Sequence, residues 1–179
     1  MIAAALGAGL FPSVSPFAFA DLSGAERAVI GGALGRALVT RGVLDQVDGR
    51  LVPGADPSIG LLDLAVRPDL LVEISHAATS APTMRALCLR ADAMVLVEPC
   101  GPFGRRISNA DAARLVDEAT DVVTSALAHG DGEVTARATW RDGDGVLATE
   151  LTWAPGDVVS SDEIRAALLA HLPGAEPAL

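Results

Sequence analysis

The chain has 179 residues, half of them apolar, only 3% aromatic and none tyrosine. That length suits one domain of ordinary size, with a core built in small increments from Ala, Val and Leu. The formal net charge of −10 and pI near 4.6 exclude nucleic acid and anionic membrane surfaces as natural partners, because no local basic patch outweighs such a field.

The first residues, 2–11, are apolar, and Ala18-Phe19-Ala20 imitates a signal-peptidase site. No Lys or Arg precedes that run, however, and Gly7, Gly9 and Pro12 interrupt it. It is also too short to span a bilayer. The expectation is a cytosolic chain, one domain over 1–179, whose segment 1–20 packs on the body as a short helix (2–10) and an irregular connector.

The first long helix starts at Ser23, where Ser23 and Glu26 form a capping box. Val29, Ile30, Ala33, Leu34, Ala37 and Leu38 recur at helical spacing and predict one apolar stripe, and Gly42 supplies the stop. Gly31, Gly32 and Gly35 each cost about 1 kcal/mol against alanine, a cost that close approach of another backbone would justify. Residues 43–52 read as a loop or short hairpin around Asp48-Gly49. A second helix is expected over 56–66, with Pro57 in its first turn and Pro68 just beyond its end.

A strand meander follows. Over 69–75, alternation places Leu70, Val72 and Ile74 on one face and Asp69, Leu71, Glu73 and Ser75 on the other. A second strand spans 84–90 and a third 93–98, with Ala91-Asp92 as the bend. Met94-Val95-Leu96-Val97 is a continuous apolar run, the mark of a strand covered on both faces. Residues 101–104 read as a tight turn, after which Arg105-Arg106-Ile107 leaves the sheet and residues 108–111 cap the next helix.

That helix has the clearest period in the chain, through Ala112, Leu115, Val116, Ala119, Val122, Val123, Ala126 and Leu127. His129 at its end meets the negative pole of the helix dipole. Residues 133–153 form a hairpin whose register follows from the turn at 142–145. Trp140 faces Leu147, Ala136 faces Leu151 and Val134 faces Trp153; Arg137 then opposes Glu150 and Thr135 opposes Thr152. Ser160 to Glu163 cap a last helix with Ile164, Ala167, Leu168 and Leu172 inward and His171 near its end, and 173–179 is a short tail. The fold class is α+β: an antiparallel meander plus a C-terminal hairpin, covered by helices.

Catalytic constellations are scarce. There is no nucleophile elbow and no glycine-rich phosphate cradle, so neither catalytic residues nor a cofactor site is expected. Asp142 and Asp144 lack the further ligands of a calcium loop. His76, His129 and His171 lie far from any metal-ligand spacing, and Cys88 and Cys100 read as buried small hydrophobes rather than a disulfide. Glu73 and His76 have opposite parity on one strand and should face apart. Phe103 in its Gly/Pro turn, with Leu71, Leu87 and Leu89, is either covered by helices or part of a protein-binding surface.

The segment from "LSGAERAVIGGALGRALVTRGVLDQVDGRLVPGADPSIGLLDLAVRPDLLVEISH" through "MRALCLRADAMVLVEPCG" to "ISNADAARLVDEATDVV" resembles the EspG family, cytosolic chaperones of mycobacterial type VII (ESX) secretion. The likeness lies in Glu26-Arg27, in Leu38 to Leu44, in Asp48-Gly49-Arg50 and in Ala65-Val66-Arg67-Pro68-Asp69, in that order. The family has two quasi-symmetric halves, and this chain has room for one of them. The resemblance implies a non-enzymatic chaperone that holds the helical tip of a PE–PPE pair. A homodimer would then replace the second half. It also implies a gripping loop, for which position nominates Pro99, Gly101, Phe103 and Arg105. The competing reading is a ligand-binding or enzymatic domain with an apolar pocket between sheet and helices, lined by Trp140 and Trp153.

Overall fold

The structure, a computed structural model, describes residues 23–78, 83–100, 104–129, 131–142 and 145–173. The expected helix at 2–10, its connector, Gly101, Phe103 and residues 174–179 of the tail lie outside the described residues. The rest is an α+β fold with a six-stranded antiparallel sheet and a separate two-stranded hairpin.

Helix α1 (Gly24–Thr40) opens on the predicted box: the Ser23 hydroxyl accepts from the Glu26 amide, and the Glu26 carboxylate accepts from the Ser23 amide at 2.8 Å. It closes through Gly42, whose φ of +70° is the left-handed conformation glycine supplies. Strands β1 (Leu44–Val47) and β2 (Arg50–Pro53) make the hairpin, turning at Asp48 and Gly49, both with positive φ. Helix α2 (Ser58–Val66) stops at Arg67 before Pro68.

The meander is β3 (Leu70–His76), β4 (Thr83–Arg90), β5 (Ala93–Cys100) and β6 (Gly104–Ala110). Contrary to expectation, Arg105 and Arg106 stay in the sheet, paired with Pro99 and Glu98. The helix cap is Asp111 alone, which accepts from the Ala113 amide at 3.0 Å ahead of a 3₁₀ turn (Ala112–Arg114) and α3 (Leu115–Leu127). Residues 108–110 prolong β6 because Ser108 and Asn109 find partners on Leu96 and Val95.

The hairpin of β7 (Val134–Asp142) and β8 (Gly145–Trp153) has every pair predicted for it, from Arg141↔Val146 to Val134↔Trp153. Helix α4 (Ser161–His171) begins at a second capping box, Ser160 with Glu163. Strand β7 also pairs along the free side of β3, so meander and hairpin fuse in the order β6-β5-β4-β3-β7-β8.

Strand parity sorts the core into two layers. Leu70, Val72, Ile74, Leu87 and Met94 face α3 and α4, with Ala119, Val123, Ile164 and Leu168 above them. Leu71, Ala86, Cys88, Val95 and Val97 face the other way, beneath Leu64 and Ala65 of α2. Burying a leucine or valine in such a layer contributes about 1.5–3 kcal/mol. The apolar run 94–97 is thus covered on both sides, as its composition predicts.

Helix α1 is the exception. Of the described members of its apolar stripe, Val29, Ala33 and Ala37 are exposed and Leu38 is half-buried. The helix leans on β1, whose hairpin stands outside the main sheet. Nor does a backbone approach Gly32, where an added Cβ would meet only the Arg36 guanidinium at 3.5 Å.

Candidate functional site

Of the two readings open for Leu71, Leu87 and Leu89, the structure shows the covered one. Leu71 and Leu87 are buried in opposite layers, and Leu89 packs at the edge of the α3/α4 layer. Of the nominated gripping residues, exposed Pro99 and half-buried Arg105 face each other across the β5–β6 end, and Gly101 and Phe103 lie outside the described residues. Glu98, beside them, lies 4.0 Å from both Arg85 and Arg106, so a row of alternating charge crosses β4, β5 and β6.

The space expected beside Trp140 and Trp153 is also closed. Between the sheet and α4 remains about 10 Å³, lined by Val72, Ala136, Leu168 and neighbours, too little for a ligand. Trp153 is buried in the core and Trp140 packs against it.

Two open concavities remain among those the described residues line. The first, about 470 Å³, is a trough between α1 and the β1–β2 hairpin, walled by Gly32, Gly35 and Val39 on one side and Gln46 and Leu51 on the other. The glycines leave that wall without side chains, so an approaching element can come close to the helix backbone.

The second, about 340 Å³, lies under the end of α3 and is lined by His76, Thr83, Arg85, Ser125, His129 and Asp131 among others. His76 ends β3 on the α3 side of the sheet, opposite in parity to Glu73 as expected, and is buried. The loop after α3 is pressed onto it. A Cβ on Gly132 would sit 2.6 Å from the Ala77 carbonyl oxygen, and the Ala77 amide donates to the Glu133 carbonyl. That approach brings the Asp131 carboxylate to 3.7 Å from His76 Nε2, a nitrogen buried without a hydrogen-bond partner. The His129 ring lies 6.1 Å away, its Nδ1 donating to the Ser125 carbonyl at 2.7 Å, which leaves Nε2 as its acceptor when neutral. His171 uses Nδ1 in the same way, on the Ala167 carbonyl at 2.8 Å.

Sequence spacing missed this cluster, because its members come from three separate segments; Gly132 is the one local signal. Among the described residues no group of three His, Cys, Asp or Glu side chains is arranged to hold a metal ion. Thiol chemistry is also unfavourable at Cys88, where burial, then the nearby Glu73 charge, push the thiol up to about 12. Cys100, expected to be buried, is exposed at the open end of β5, and both cysteines are free.

No described helix is long and apolar enough to cross a membrane. No protein-family model and no curated protein matches the chain.

Proposed function

We propose that this protein is a non-enzymatic adaptor that holds an apolar helical client, acting in the cytoplasm as the EspG resemblance implies, for type VII (ESX) secretion. The observation supporting this reading is the trough along α1. Exposed apolar side chains beside a glycine-walled groove form a surface that a partner covers. The client in this reading is a helical pair of PE–PPE type, whose apolar tip lies against Gly32 of α1, with Pro99 and Arg105 as the contacts nominated at the β5–β6 end. A second copy of the chain supplies the missing half of the family architecture.

Co-expression with such a pair tests the reading. The wild type should co-purify with it, and Gly32→Leu should lose it while keeping its fold, since the added side chain points into open trough. Equal capture by both proteins, or by neither, overturns the proposal.

A further inference from the structure

The two edges of the large sheet are unlike. Strand β6 carries Arg105 and Arg106 within seven residues, the charges with which natural edges resist pairing. Strand β8 runs nine residues with Glu150 as its only charge and no proline. Its Val146 and Leu147 are 55% and 45% exposed. A long edge with a single charge and no proline is a template for another strand.

The direction of its free backbone groups can be derived. Pairing of β7 with β8 runs up to Asp142↔Gly145, which leaves a two-residue loop. The pair closing such a loop is hydrogen-bonded, and bonded and non-bonded pairs then alternate. Gly145, Leu147, Thr149 and Leu151 therefore turn their amides and carbonyls toward β7. Val146, Ala148, Glu150 and Thr152 turn theirs outward.

From this edge we infer that the chain forms a two-fold dimer through antiparallel pairing of β8 with β8 of a second copy, centred on Thr149. The inference names the surface for the pair of copies in the adaptor reading, but it rests on the edge itself and stands without a client. Side chains opposite each other must share a face, so the well-overlapped two-fold registers are those centred on Ala148, Thr149 or Glu150. Centring on Glu150 sets that carboxylate against its own copy. Centring on Ala148 leaves Leu147 against threonine and Leu151 against glycine.

Centring on Thr149 sets Leu147 against the partner's Leu151, Ala148 against the partner's Glu150 and Val146 against the partner's Thr152. The leucine pair falls at a non-bonded position, where side chains approach most closely. The outward groups of residues 146, 148, 150 and 152 then make about eight inter-chain hydrogen bonds, and the two sheets become one.

Light scattering of the full chain without client should show dimers that dissociate on dilution through the micromolar range. Ala148→Glu, which puts like charges opposite at two places, should weaken the dimer about tenfold. Ala148→Glu with Glu150→Arg should recover to within about threefold of wild type. In a Cys100→Ser background, Thr149→Cys should cross-link on mild oxidation, because opposed Cα atoms at a non-bonded pair are close enough for a disulfide. Val146→Cys, far from its own copy, should not.

A monomeric wild type at about 100 micromolar, or cross-linking by Val146→Cys and not Thr149→Cys, overturns the inference. The client question separates cleanly. Capture of the helical pair by monomeric Ala148→Glu supports the adaptor reading whatever the fate of the dimer, and a wild-type dimer that captures nothing sinks only the adaptor reading.

Discussion

Leu87 and Val29 are both large aliphatic residues on regular elements, yet one is 1% exposed and the other 72%. Leu87 sits on a strand with neighbours on both sides and α3 above it. Val29 sits on a helix that leans on a two-stranded hairpin outside the main sheet. The difference teaches where stability and recognition are separated. The six-stranded body buries its large aliphatic side chains on both faces, while α1 leaves Val29 in the open.

The widest gap should appear in a paired truncation. Leu87→Ala should cost about 3 kcal/mol in urea unfolding, from lost transfer energy and a residual cavity. Val29→Ser should stay within about 0.5 kcal/mol of wild type. Comparable losses for both would mean that α1 packs on the body after all, and the adaptor reading would lose its surface.

Gly132→Ala sharpens the same contrast from a loop. The position lies between α3 and β7 rather than in either core layer, yet its new methyl would meet Ala77 backbone atoms at 2.6 and 2.7 Å. Backbone cannot step aside as a flexible side chain does, so a loss of about 2 kcal/mol is expected in thermal melting. The His76 imidazole resonances should move with it, since the same approach sets Asp131 against that ring. A neutral effect would show that the loop shifts freely and that the cleft is not a fixed shape.

Much of this architecture was legible because local rules carried it. Ser23-Glu26 and Ser160-Glu163 mark helix starts by their own chemistry, and the turn at 142–145 set a register that a one-residue slip would have ruined. The apolar run 94–97 announced a strand with two covered faces. What local rules do not contain is the pairing of β3 with β7, two segments some sixty residues apart. Without that pairing the β8 edge was invisible, as was the cleft, whose parts meet only when β3, β4 and the end of α3 are stacked. Helix α1 failed for the opposite reason. Helical spacing places apolar residues on one side of a helix but does not say that anything lies beneath them.

The smallest expected effect concerns how α2 is held on the second face. Beside Leu64 and Ala65 in the core, α2 carries Asp63, which accepts from Arg67 one turn later and lies 2.8 Å from Arg90 at the end of β4. Burial alone would raise this carboxyl; the hydrogen bonds from Arg67 and Arg90 outweigh it and hold the group below its ordinary value. A carboxyl depressed in the folded state stabilises above its unfolded pKa of about 3.9 and loses that contribution as pH falls through the folded value. Asp63→Asn should therefore cost about 1 kcal/mol at pH 7, a figure kept small by solvent screening of two half-exposed arginines. The gap to wild type should shrink below about pH 4 and in high salt. A gap that is constant from neutral to acid would mean that the amide fails by shape rather than charge, and that α2 is held by its apolar contacts alone.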